Sequence, residues 1–185
     1  MPTPESLPVL ETARLILRPI RAEDFDAWAE FMADPEATRF LGGALTRPAA
    51  WRGFIMVAGA WAMQGFAMFS VIEKATGRWV GRLGPWQPEG WPGTEVGWGL
   101  CRAAWGKGYA TEGAAATIDW AFDHLGWTEV IHCIAPDNEP SKAVARRLGS
   151  RFHGLDQLPA PIDTEVEIWG QTREEWRSRA ADGRP

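Results

Sequence analysis

The sequence predicts an α/β (α+β) domain in which a mixed sheet is flanked by helices. Three observations carry that expectation. Segments of period two and amphipathic segments of period near 3.6 occur in turn along the chain. A turn at Ala75-Thr76-Gly77 joins two strand-like runs into a hairpin, and beyond residue 94 single strands and helices alternate. That alternation goes with a parallel pairing and a right-handed crossover.

The elements follow in order. Ala13 to Ile20 alternates long polar and apolar side chains and closes on Pro19, which suits an edge strand. Ala22 to Asp34 opens on Glu23-Asp24 and carries Phe25, Trp28, Phe31 and Met32 at helical spacing, an amphipathic helix that ends before Pro35. Thr46 caps a second helix, with Pro48 just inside it and Gly65 at its end. Phe66 to Glu73 and Arg78 to Trp86 form the hairpin, and Thr94 to Cys101 is the next strand. A helix from Tyr109 to Leu125, a strand from Thr128 to Ala135 and a helix from Pro140 to Leu148, stopped by Gly149, complete the alternation. Strands at Arg151 to Leu155 and Thr164 to Thr172 close the chain ahead of Thr172-Arg-Glu-Glu-Trp176.

With 185 residues, 45% apolar and 23% charged, one domain with a substantial core is expected. We divide the chain into a lead-in over 1–11, a domain over 12–178 and a tail over 179–185. The net charge of −5 argues against nucleic acid or an anionic membrane as partner, since both need a basic footprint. Cys101 and Cys133 form no CxxC pair and read as core thiols, so neither a disulfide nor a bound metal is expected. The proline-rich start has no signal-peptide pattern and no run reaches a membrane span, which predicts a cytoplasmic protein. Seven of the twelve tryptophans lie from Trp79 to Trp127 in dissimilar surroundings, which makes them core and pocket walls rather than a repeat.

The chemistry is carried by Trp105-Gly-Lys-Gly-Tyr-Ala-Thr-Glu112, where a strand gives way to a helix. Gly106 and Gly108 let the backbone turn and approach a ligand, and the new helix offers free N–H groups with a positive dipole end. The stretch matches neither a P-loop nor a dinucleotide fingerprint. It resembles the pyrophosphate-binding motif Gln/Arg-x-x-Gly-x-Gly/Ala of the GNAT N-acetyltransferase superfamily, read here as Trp105 to Ala110. Trp105 departs from Gln/Arg, but the whole stretch is similar to the branch that holds the ribosomal-protein alanine and serine N-acetyltransferases. The resemblance runs from Thr12 to Trp176 and includes Thr-Ala-Arg-Leu-Ile-Leu-Arg, Glu95-Val-Gly-Trp-Gly-Leu100, Asn138-Glu-Pro-Ser141 and Thr-Arg-Glu-Glu-Trp.

That resemblance implies a splayed, mostly antiparallel sheet of six or seven strands with about four helices, and acetyl-CoA as co-substrate. The backbone of Leu100, with Arg102, would pair with the pantetheine arm. The N–H groups of Gly106, Lys107, Gly108, Tyr109, Ala110 and Thr111 would take the pyrophosphate, with added charge from Lys107. Asn138 would contact the pantetheine, Ser141 would lie near the thioester, and Arg146 or Lys142 would reach the 3′-phosphate. Asn138 and Ser141 equally suit the cap and first turn of a helix.

An amine acceptor must lose a proton before it attacks a thioester, which calls for a base. Glu95 is the candidate by family likeness, with an outward-facing strand carboxylate as the alternative. Relatives place a tyrosine four residues before the glycine that ends the last helix. Here that position is Ala145, which leaves Ser141 or water to protonate the thiolate. His132, in a strand, and His124, near a helix end, read as structural, and none of His124, His132 and His153 is expected to be a catalyst. The predicted activity is acetyl transfer to a primary amine, with a protein or peptide N-terminus ahead of a small-molecule amine; a CoA-binding sensor stays open because the helix tyrosine is missing. Either a monomer or a homodimer is compatible with the sequence.

Overall fold

A computed structural model describes residues 7–181. Residues 1–6 of the lead-in and 182–185 of the tail lie outside this span. The strands are β1 (Leu10–Glu11), β2 (Leu15–Arg18), β3 (Phe69–Glu73), β4 (Arg78–Trp86), β5 (Glu95–Leu100), β6 (Glu129–Ile134), β7 (Arg151–Gln157) and β8 (Glu165–Thr172). The helices are α1 (Phe25–Ala33), α2 (Arg47–Gln64), α3 (Tyr109–His124), α4 (Glu139–Leu148) and α5 (Arg173–Ala181).

The strands form one eight-stranded sheet in the order β1-β2-β3-β4-β5-β6-β8-β7. Every neighbouring pair is antiparallel except β5 with β6, which are parallel and joined through α3. This is the crossover that the alternation after residue 94 anticipates. Strand side chains alternate faces, and β4 shows which helices cover which face. Leu83 meets α3, lying where a side chain on Gly113 would point, while its neighbour Arg82 reaches Trp28 of α1. Helices α1 and α3 therefore sit on opposite faces.

The larger core spans both faces of β3 and β4. Under α1 and α2, Trp28 and Phe31 pack on Trp79, and Trp28 on Phe54; on the α3 face Phe69, the cross-strand partner of Leu83, meets Trp120 edge-on and is also reached by Trp61 from the end of α2. The second core holds Ile118, Phe122, Trp127, Val130, Leu148 and Trp176 around the inner side of α3. The tryptophans are core residues for the most part, as composition suggests.

Two elements go beyond the sequence reading. The sheet has eight strands where six or seven were expected; the additional one is Leu10–Glu11, which pairs with Leu17 and Ile16 at the edge. A fifth helix follows β8 and runs across the division drawn at residue 178. Its sequence is almost wholly polar, and it is held by the buried Trp176, whose Nε1 donates to Asp119 at 2.7 Å. No helix among the described residues is long and apolar enough to cross a membrane.

Candidate active site

Strands β5 and β6 share a single register pair, Glu95 with Ile131, and then part. Parting leaves backbone groups without ladder partners, and side chains serve them instead. His132 Nδ1 donates to the Val96 carbonyl at 2.7 Å, and its Nε2 accepts from the Ser150 hydroxyl at 2.9 Å. Glu95 Oε1 accepts from the Cys133 N–H at 3.2 Å, while Oε2 accepts from Trp91 Nε1 at 2.6 Å. His132 is structural, as expected, and burial pushes it down to about 4, so the ring is neutral.

A cavity of about 1060 Å³ opens between the end of β5, the loop ahead of α3, the N-terminal part of α4 and the connection from α1 to α2. The loop turns on Gly106 at φ +73° and Gly108 at φ +78°, left-handed conformations that favour glycine. Gly108 immediately precedes α3, so the first N–H groups of that helix face the cavity. The loop is braced from below by β3. The Tyr109 hydroxyl donates to Glu73 at 2.7 Å and Lys107 Nζ at 3.2 Å, and with Thr76 these contacts hold the Glu73 carboxyl down at about 2.

Arg14, from the approach to β2, closes one side of the loop. It donates to the Lys107 carbonyl at 2.8 Å, pairs with Glu112 at 2.6 Å and lies 4.8 Å over the Tyr109 ring. Glu112 is thus a structural carboxylate that ties the start of α3 to Thr12 and Arg14. Trp105, in the place of the family's Gln/Arg, donates its Nε1 to the Leu100 carbonyl at 2.8 Å and caps the end of β5.

Elsewhere on the wall, Asn138 caps α4 by accepting from the Ser141 N–H at 3.2 Å, and both residues also line the cavity. The structural and binding roles coexist. Trp98 Nε1 donates to the Ser141 hydroxyl at 3.2 Å, and nothing among the described residues accepts the Ser141 proton. Glu95 is buried at 6% exposure just behind this wall, its Oε1 3.1 Å from where a side chain on Gly97 would begin. Desolvation pushes its carboxyl up to about 7, against the hydrogen bonds from Trp91 and Cys133 and the charge of Arg82. The outward-facing alternative for Glu95 does not hold.

Leu100, Gly106, Gly108, Tyr109, Ala110, Thr111, Asn138 and Ser141 share the one cavity, whereas Arg102, expected beside Leu100 on the pantetheine, and the expected cations Lys107 and Arg146 do not line it. Arg102 pairs with Asp34 at 2.6 Å, Lys107 with Glu73, and Arg146 with Glu139 at 3.3 Å while lying over Trp169. Lys142 is buried between Glu139 and Glu167. The cations that line the wall are Arg14, Arg39 and Arg147, which sequence reasoning missed. Helix phase could have found Arg147, because Pro140, Ala143, Val144 and Arg147 follow i, i+3, i+4, i+7 spacing and all line the cavity. Arg146 shares the opposite side with Glu139 and Lys142. Burial raises Cys133 and pushes Cys101 up to about 11, so neither thiol is a ready nucleophile near neutral pH. No cluster suited to a metal ion occurs among the described residues.

The family model described as an acetyltransferase (GNAT) domain matches residues 14–151. The chain is 31% identical to an uncharacterized N-acetyltransferase, p20 of Bacillus licheniformis, over 79% of its own length and 84% of the relative's. It is 32% identical to the FsC-acetyl coenzyme A-N(2)-transacetylase of Aspergillus fumigatus, over 94% of this chain and 80% of that one. Among solved structures, an acetyltransferase from Agrobacterium tumefaciens superposes with a TM-score of 0.79 at 34% identity, covering 91% of this chain and 96% of the other.

Proposed function

The chain belongs to the GNAT acetyltransferase family, and from that premise we propose that it moves an acetyl group from acetyl-CoA to a primary amine by direct attack on the thioester. The observation that carries this reading is the cavity itself. It joins an anion-receptive helix start, a long slot beside the parting strands and a hydroxyl with a free proton in one continuous space. Acetyl-CoA fits that donor set: the pyrophosphate meets the N–H groups of Gly106 to Thr111, with Arg14 beside them, and the pantetheine passes Leu100 and Asn138. Arg147 is the better placed cation for the 3′-phosphate, in the role the sequence reading gave to Arg146.

The chain's own residues then manage protons. Glu95, poised near 7, accepts a proton from the incoming ammonium, either directly or through one water. The acceptor approaches along the face that Glu95 shares with Gly97 and Gly99. Ser141 returns a proton to the departing thiolate. A backbone N–H of β5 is the available donor for the oxygen that gains charge during attack.

For the acceptor we favour a protein or peptide N-terminal amine. A small-molecule amine is the second reading, supported by the relative whose name states transfer from acetyl coenzyme A to an N(2) nitrogen. The test is titration with acetyl-CoA, followed by thiol release against peptide N-termini and small amines. Binding with release for one class supports the transferase and names its acceptor. Binding without release would favour a sensor, and absence of binding would overturn the assignment of the cavity.

A further inference from the structure

The guanidinium of Arg82 stands on the α1 side of β4 without a carboxylate partner. Among the described residues its only hydrogen bond is to the Met68 sulfur, from one terminal nitrogen, and its only ring contact is with Trp28, whose centroid lies 5.4 Å from Cζ. Its Nε is out of reach of solvent and has no acceptor. The same is true of Trp28 Nε1, on a side chain 3% exposed. Two buried donors, one of them charged, thus lie side by side with nothing to bond. A half-buried cation with no charged partner costs free energy, and desolvation brings the group down to about 10.

The position connects this pair to the reaction. Arg82 is the cross-strand partner of Gly99, and Gly99 lines the cavity. Along that face of β5 the residues are Glu95, Gly97 and Gly99, so a carboxylate and a guanidinium flank two glycines, over which the tips of Met68, Leu41 and Phe31 lie and would have to move aside for a ligand. Glu95 is the one carboxylate whose charge Arg82 feels, yet the two make no ion pair.

We infer that Arg82 and Trp28 form an acceptor subsite that binds a carboxylate on the same molecule as the amine being acetylated. The inference rests on the proposed transferase reading and narrows its substrate class to amines that bear an acid group. Two sources supply that chemistry: the α-carboxylate of a free amino acid, and an acidic side chain at the start of a peptide. In either case the anion meets the guanidinium and the indole N–H, while the amine faces Glu95.

Matched probes test this. Leucine is compared with leucinamide, and Glu-Ala-Ala-amide with Gln-Ala-Ala-amide, by kcat/KM for acetyl transfer. The acid member of one pair should be favoured at least about tenfold, the scale of a hydrogen bond to a charged group. A preference in the first pair identifies free amino acids, one in the second acidic peptides. R82Q should reduce the ratio to near one, and W28F, which keeps the ring and removes the N–H, should reduce it in part. Unchanged acetyl-CoA affinity in each variant certifies the fold, since neither residue lines the CoA cavity. If R82Q does not fold, R82K and W28F carry the comparison.

Binding of N-acetyl-leucine against N-acetyl-leucinamide to the CoA-loaded protein reads the subsite without turnover. A carboxylate preference there, with no thiol released from any amine, would sink the transferase reading and leave the anion subsite standing. Equal rates and equal binding across both pairs would overturn the inference and assign the two donors to water.

Discussion

Replacing Glu95 by glutamine should lower activity and, above neutral pH, raise stability. The carboxyl moves from 4.5 in the unfolded chain to about 7 in the folded one, because burial disfavours its charge. Between those values the folded state holds a proton that the unfolded state has lost, so stability is greatest below 4.5 and falls as pH rises through 7. For one group with this shift, the loss between pH 5 and pH 8 is ~2–3 kcal/mol. Glutamine does not titrate. Its single carbonyl oxygen serves either Trp91 Nε1 or the Cys133 N–H, as that of the protonated carboxyl does, so any cost of the amide relative to the protonated form is the same at every pH. The constant cost cancels when the difference between E95Q and wild type is followed against pH. That difference should swing in favour of the variant by about 5–10 °C in Tm from pH 5 to pH 8. Thermal unfolding of both proteins at four pH values measures it. Activity alone cannot isolate this effect, because deprotonation of the amine also makes the rate rise with pH. At pH 8 the variant should lose about 100-fold or more in kcat. A difference in Tm that stays flat from pH 5 to pH 8 would refute the reasoning, since Glu95 would then ionise as an ordinary carboxyl and lose its claim as base.

Gly108→Asp should raise the acetyl-CoA Kd by at least about tenfold, since it puts a side chain at a left-handed φ that glycine favours and sets negative charge at the pyrophosphate position; calorimetric titration reads it. Arg147→Ala should weaken CoA binding far more than dephospho-CoA binding, whereas Arg146→Ala should leave both unchanged; equal losses for both ligands would remove the 3′-phosphate role. Tyr109→Phe should raise the acetyl-CoA Kd by about two- to tenfold by releasing the loop from Glu73, and an unchanged Kd would show that the brace is dispensable. His132→Asn should destabilise more at pH 7.5 than at pH 5. The neutral ring, lowered from 6.5 to about 4, contributes stability that is present above 6.5 and lost as pH falls toward 4. A penalty independent of pH in thermal unfolding would contradict it.

The order of elements was legible because punctuation and period agreed. Thr46, Gly65, Asn138 and Gly149 stand at helix ends in the structure as in the reading, and the hairpin turns at Ala75 to Gly77. Helix α5 escaped because a polar segment with one anchoring tryptophan has no apolar stripe to count. The glycine loop was legible for a local reason: tight turn, helix start and anion affinity are all written in six consecutive residues. Cations that reach a site from elsewhere are not written that way. Arg14 meets the loop across 93 positions of sequence, and nothing near Arg14 announces it. Lys107, by contrast, looked functional from its neighbours but had a carboxylate waiting on β3, Glu73, that only the fold brings to it.

The parting of β5 and β6 explains why the base candidate and a structural histidine belong to one device. A parallel sheet that opens must satisfy the groups it unpairs, and here the Val96 carbonyl goes to His132 and the Cys133 N–H to Glu95. Both side chains reach their partners only by giving up water, and desolvation moves each toward its neutral form. Their effects on stability oppose each other over the window from 4.5 to 6.5, where the histidine favours folding as pH rises and the glutamate disfavours it. The slot can therefore be held open by two buried titratable groups with little net pH dependence from the pair in that range. Above it the glutamate's penalty stands alone, at the pH where a base must carry charge to act.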